Sequence, residues 1–412
     1  MLRQLFNREI LRYIGPAFLV TVGFIDPGNW ATNIAGGSEF NYSLLWVITL
    51  STLMLILLQT MSARLGIVTN RSLAELCRTE FHPAVSSVLG VTIILASIAT
   101  ALAEFLGAAI GLYLLFGIPI WLAGIFAAVI VLFLIGLQRY GHSTIEHIII
   151  GFISIIGFAY LVELYLVKPE WNLAFYHSVV PTVNGKSILI AMGMLGAVVM
   201  PHNIYLHSSV VRHIDFPVEE KDVKKLFRFE LVDTILAMGV GWLINSAMVI
   251  VAAAVFFRNG VFVDSIEQAS LTLKPLAGDL ARILFGIALL CSGLSSSTTA
   301  GLAGASVFTG YLNKSKDPQG FWFQLGMAVT ILPALAIIAM NLNSYQVLII
   351  SQVILSVQLP FTMLPLYLLT NRTQIMGVHK NNLPLKLLAS LAIIIIIGLN
   401  LFLLFQILIA KV

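Results

Sequence analysis

Apolar residues run along this chain in long blocks separated by short polar connections. Eleven such blocks are read at approximately 12–36, 43–65, 84–117, 119–138, 147–167, 187–211, 231–256, 282–310, 321–341, 346–370 and 388–410. A bilayer core about 30 Å thick is crossed by about 20 helical residues. The pattern therefore predicts an all-α integral membrane protein of eleven transmembrane helices, and the odd number puts the two ends on opposite sides. The longest connections, 168–186 and 257–281, leave little room for a separate soluble domain, so one transmembrane domain over 1–412 is expected. The charge-dense run EEKDVKKLFRFE at 219–230 reads as a solvated, amphipathic approach to the seventh span.

Two blocks are interrupted at their middle. The first contains VTVGFIDPGNWATNIAGG at 20–37 and the sixth IAMGMLGAVVMPHNIYLHSSV at 190–210. Pro27 removes an amide donor and Gly28 offers no stiffness, so the first span is expected to break into two half-helices. Inside hydrocarbon such backbone is tolerated only where protein buries it or a polar cavity adjoins it. An ionisable Asp26 at that depth costs at least about 2.5–3.5 kcal/mol. A cation bound there makes that cost worthwhile; the plainer reading is a proline kink with Asp26 hydrogen-bonded to a neighbour. Pro201, flanked by His202 and Asn203, gives the sixth span the matching interruption. Breaks in spans one and six predict a 5+5 inverted repeat, with a first repeat at about 12–167, a second at about 187–370 and an additional helix at 388–410. Substrate and coupling ion would bind between the breaks. The halves share no clear sequence identity, so the repeat rests on span count and break position.

Composition agrees with the membrane reading: 59% of residues are hydrophobic, 10% are charged, and the mean hydropathy is +0.97. Basic residues orient the chain. With the N-terminus cytoplasmic, most of the 23 Lys and Arg fall inside, and only Lys168, Lys186, Arg258, Lys274, Arg282 and Lys411 fall outside. The pI near 9.0 follows from that bias and gives no reason to expect nucleic acid. MLRQLFNREILRYIGPAFLV lacks a small-residue cleavage site, so no cleavable signal peptide is expected. Cys77 and Cys291 suggest neither a disulfide framework nor a zinc site. These features favour a bacterial plasma membrane, with no obligatory protein partner.

The donors near the two breaks limit what binds there. They are the Asp26 carboxylate, the Asn29 side-chain oxygen, freed carbonyls around Ala197 and the Met200 thioether. Hard oxygens with one soft sulfur suit Mn²⁺ or Fe²⁺ better than Mg²⁺ or Ca²⁺, to which a thioether offers nothing. Met200 is also one of twelve methionines, most of which pack core or lipid.

DPGNWATNIAGGSEFNYSLLW and MPHNIYLHSSVV resemble the two signature segments of the NRAMP family of divalent transition-metal transporters. The resemblance extends through LLQTMSARLGIVT at 57–69, LAEFLG at 102–107 and SQVILSVQLPF at 351–361. It implies a LeuT-like fold of ten spans plus an eleventh, alternating access, and proton-driven import of Mn²⁺ or Fe²⁺ as substrate, with no cofactor and no enzyme activity. On matching positions it makes Asp26, Asn29, Ala197 by its carbonyl and Met200 metal ligands, with Gln352 reaching the ion from span ten. It places Gln59 at an outer gate, where mid-membrane Asn245 is also assigned, and ties Glu104 and His202 to proton movement. Carboxyl and imidazole suit that task. His207 is read as a vestibule or proton-exit residue, with a packing role as the alternative.

The sequence departs from the family on the proton side. The acid expected three residues before Glu104 is Ala101, and the ninth span, FWFQLGMAVTILPALAIIAMN, carries no basic residue. A proton-uncoupled metal uniporter is therefore the alternative to symport. A cation-coupled organic solute transporter of the same fold is a weaker one, since Asp26 would repel a substrate carboxylate. An intramembrane hydrolase lacks a motif, with no His-Glu-x-x-His and no Gly-x-Ser-x-Gly. Small residues in SGLSSSTTAG at 292–301 are expected to serve close helix packing. Glu163 and Asp233 are placed near span ends, within reach of water.

Overall fold

The computed structural model describes residues 22–136, 142–182, 185–211, 220–261, 263, 265–315 and 317–409. Residues 12–21 of the first expected span and 137–138 of the fourth lie outside them. A short 3₁₀ turn, Val22–Ile25, leads to Asp26, after which α1 runs Pro27–Phe40, and a second 3₁₀ turn joins it to α2, Leu45–Thr69. There follow α3 (Leu73–Glu80), α4 (Pro83–Phe116), α5 (Ile120–Gly136), α6 (His142–Val167) and α7 (Trp171–Val179). The second half holds α8 (Ile188–Val198), α9 (Pro201–Val210), α10 (Glu220–Val255), α11 (Ile266–Leu312), α12 (Phe321–Ala339) and α13 (Ser344–Asn371). The short α14 (Thr373–Met376) precedes α15, Leu383–Ile409.

Among the described residues, nine continuous helical stretches are long and apolar enough to cross a membrane, and α5 is a shorter apolar helix. One stretch, Pro27–Thr69, contains two expected spans, α1 and α2. Local signals set the helix ends. Asn70 terminates α2 in the left-handed conformation (φ 51°). Ser72 and Glu75 form a reciprocal capping box on α3. His82 and Pro83 start α4, which stops at Gly117 (φ 70°).

Three connections contain more helix than hydropathy indicates. The expected loop at 257–281 already holds the first turns of α11, capped by Ser265, which accepts from the Gln268 amide at 3.0 Å; the helix bends at Gly278 (φ 92°). The 168–186 connection carries α7 and is tied to the turn between α1 and α2. There the Tyr42 hydroxyl accepts from the Glu170 amide at 3.2 Å, and Trp46 Nε1 donates to the Thr182 carbonyl at 3.1 Å. The charged approach to the seventh span is continuous with it, forming one helix of 36 residues.

At the centre, α4 packs extensively along α11, while α8 lies against α13 and α9 against α2. In the small-residue run of α11, Ser295, Ser296 and Thr299 donate back to carbonyls three or four residues earlier, which satisfies their hydroxyls without opening the interface. Glu163 and Asp233 correct the expectation of water access: both are about 1% exposed. The helix faces that carry them turn inward.

Candidate metal site

Asp26 is the N-cap of α1. Its backbone is extended (φ −78°, ψ 161°) and Pro27 follows at the first helical position. Its Oδ1 accepts from the Asn29 backbone amide at 2.8 Å and from Asn29 Nδ2 at 2.6 Å. Met200 occupies the same place on α9, with φ −68°, ψ 118° and Pro201 next. Asn203 Nδ2 lies 3.6 Å from the Met200 sulfur. Both breaks are thus built on X-Pro-x-Asn, with a candidate ligand at the cap and an asparagine three residues on whose amide returns to it.

Prolines also free the acceptors. Residue 201 would supply the helical amide for the Ala197 carbonyl, and as proline it has none. Asn29 Nδ2 instead reaches that carbonyl at 3.1 Å across the two breaks, and the Phe24 carbonyl at 3.0 Å. Three oxygens therefore converge on an amide nitrogen with only two hydrogens. Asp26 Oδ2, Asn29 Oδ1 and Gln352 Oε1 are buried with no hydrogen-bond partner. Gln352 comes from α13 and lies over Gly28 so closely that a Cβ on Gly28 would fall 1.8 Å from its Nε2. Asp26, Asn29, Ala197, Met200 and Gln352 are all 0% exposed. A surplus of buried acceptor oxygens is an arrangement that a desolvated cation would complete, and Met200 caps the facing helix three residues beyond the Ala197 carbonyl. Among the described residues no three of His, Cys, Asp and Glu come together, so the one charged donor here is joined by neutral ones.

The expected proton residues divide into two groups. On α4, Thr100 Oγ1 lies 3.1 Å from His202 Nδ1, and Glu104 follows one turn later with both carboxylate oxygens buried and unpartnered. His207 belongs to a separate chain: Nδ1 lies 2.7 Å from Gln59 Oε1 on α2 and Nε2 2.6 Å from Glu230 Oε1 on α10. Gln59, expected at an outer gate, is thus engaged by α9. Asn245 binds α1 and its approach, donating to the Phe24 carbonyl at 2.5 Å and accepting from Asn33 Nδ2 at 2.7 Å.

Sequence reasoning missed Glu230, which it placed on a solvated helix start; Glu230 is 4% exposed. The available signal was the spacing of Glu230, Asp233 and Thr234, which puts three polar groups on one helix face, and all three are buried. Trp30 was also unmarked. Its ring sits between Tyr160 (5.3 Å between centroids) and Phe285 (4.9 Å, edge-on), forming an aromatic wall one residue beyond Asn29.

Residues 17–406 match the family model described as natural resistance-associated macrophage protein-like. The chain belongs to the Nramp family. It is 44% identical over 399 residues to the divalent metal cation transporter MntH of Clostridium acetobutylicum, covering 97% of this chain and 91% of that relative. A histidine-to-alanine mutant of the Eremococcus coleocola manganese transporter aligns with a TM-score of 0.82 at 31% identity, over 95% of this chain and 86% of the other. Mhp1, a nucleobase-cation-symport-1 transporter in a closed conformation, gives a TM-score of 0.63 at 17% identity over 94% and 91% of the two chains, a likeness of fold alone. The LeuT-like fold expected for an Nramp protein is thereby met, and the chain is a multi-pass membrane transporter, not an enzyme.

Proposed function

We propose that this Nramp protein moves divalent transition-metal ions, Mn²⁺ first and Fe²⁺ as a related substrate, across a bacterial plasma membrane by alternating access. Asp26, Asn29, the Ala197 carbonyl, Met200 and Gln352 hold the ion, and no resident cofactor takes part. What supports this ligand set is the crowding of Asp26 Oδ1 and the Phe24 and Ala197 carbonyls on the one Asn29 amide between two proline-opened helix ends, together with the buried, unpartnered Asp26 Oδ2, Asn29 Oδ1 and Gln352 Oε1. The named relatives and manganese-transporter neighbour support the substrate class. In this reading the N-terminus is cytoplasmic, as the distribution of basic residues favours, and the two repeats rock about the site.

Glu104 and His202 are the proton carriers in the symport form of this reading. A second form, uniport driven by the membrane potential, is favoured by Ala101 and by an α12 without a basic residue. Mn²⁺ uptake into proteoliposomes holding a pH dye, under an imposed potential with no pH gradient, separates them. Acidification accompanying metal entry supports symport through Glu104; entry at constant internal pH supports uniport. Absence of Mn²⁺ entry overturns the proposed function.

A further inference from the structure

The two helix breaks repeat one local device, and its second copy concerns a residue so far given no role. At the first break, Asn29 donates its side-chain amide to the carboxylate of the capping residue three positions earlier, fixing the direction of Asp26. At the second, Asn203 stands in the same relation to Met200, with Nδ2 3.6 Å from the sulfur. We propose that Asn203 is a positioning and specificity-determining residue, which holds the Met200 thioether in its ion-facing orientation and so sets the preference for thiophilic metals. The proposal rests on Met200 being a ligand.

A methionine side chain has three rotatable bonds and adapts to many surroundings, so an unrestrained thioether selects poorly among ions. Sulfur is a weak acceptor with more than one lone pair. An N–H directed at one of them leaves another for a metal and removes rotamer freedom in advance of binding. The donor is itself held. A Cβ on Gly23 would lie 1.9 Å from Asn203 Nδ2, so only glycine in the turn before Asp26 lets the carboxamide lie there. Asn203 therefore packs against the approach to the first break while it restrains the ligand of the second. It is 0% exposed, and its Oδ1 has no partner, so solvent does not fix its orientation. Residues that orient metal ligands typically change affinity by about 10- to 100-fold when replaced.

The test is isothermal titration of purified protein with Cd²⁺ and with Mn²⁺, comparing Asn203→Leu, Asn203→Ala, Met200→Ala and the double variant Met200→Ala/Asn203→Leu. Asn203→Leu keeps the branched outline of the side chain at somewhat greater volume and Asn203→Ala adds no bulk, so a folding failure of one leaves the other. The expected result is a fall of about tenfold in the Cd²⁺ over Mn²⁺ preference for either Asn203 variant, with no further fall when Asn203→Leu is added to Met200→Ala. An unchanged preference in the Asn203 variants overturns the proposal while leaving Met200 a ligand. The same shift with and without the methionine also overturns it, because Asn203 would then act on the ion independently of sulfur. If Met200→Ala itself leaves the preference unchanged, the failure lies in the ligand assignment, and the proposal falls with it.

Discussion

His207 Nε2 on α9 lies 2.6 Å from Glu230 Oε1 on α10, and both side chains are buried. The contact joins a half-helix to a helix whose charged beginning looks solvated in the sequence. Removing one partner leaves the other desolvated without compensation, at a cost of about 1–3 kcal/mol. Glu230→Leu should therefore lower the melting temperature of the detergent-solubilised protein, and Glu230→Gln, which retains an acceptor, should lower it less. Equal losses in the two variants would show that volume at this position matters more than the hydrogen bond.

Asp26 supplies the only carboxylate of the proposed ligand set. Asp26→Ala should abolish Mn²⁺ uptake into proteoliposomes, while the variant remains monodisperse on size exclusion. Near-normal uptake would remove the site assignment.

Met200 is expected to filter ions more than to strengthen their binding. In Met200→Ala the remaining donors are oxygens, so Ca²⁺ or Mg²⁺ should begin to compete with Mn²⁺ in uptake assays. Unchanged discrimination would make the thioether a packing group.

Glu104 lies one turn from Thr100, the partner of His202, and neither carboxylate oxygen has a hydrogen-bond partner. Glu104→Gln preserves shape and removes titration. Uptake measured across pH should lose its pH dependence in this variant if Glu104 accepts the transported proton. An unaltered profile would move the proton to another group.

Gln352 and Gly28 share one space. Gly28→Ala should abolish uptake because the new methyl group would overlap the Gln352 amide. Shortening that side chain in Gly28→Ala/Gln352→Ala should restore part of it. Gln352→Ala alone gives the reference: a double variant less active than Gln352→Ala would mean that the methyl also disturbs Asp26, whose Oδ2 would lie 2.8 Å from it.

Much of the membrane architecture was legible because hydrocarbon imposes a simple length rule, and the two breaks were legible because proline and aspartate are costly there. Asp26, Asn29, Ala197 and Met200 followed as ligand candidates from their places about Pro27 and Pro201, and Gln352 from the family resemblance alone. The helical start of α11 was not, because IEQASLTLKPLAGD mixes polar and apolar residues too evenly to mark a span. Glu230 was missed because a charged residue in a charged run looks solvated, and only the packing of α9 against it reveals burial. Partners across distant segments, such as Gln59 with His207 or Asn33 with Asn245, depend on tertiary approach that no local pattern records.

The uniport form of the proposed function, which the absence of a basic residue from α12 favours, has an electrical consequence. Moving one elementary charge across 100 mV is worth about 2.3 kcal/mol, so a divalent ion carried alone gains about 4.6 kcal/mol at that voltage. That is sufficient to hold a concentration ratio of roughly three orders of magnitude. In that form a cell with an energised membrane accumulates the metal as a battery charges, with the voltage as its only source of work.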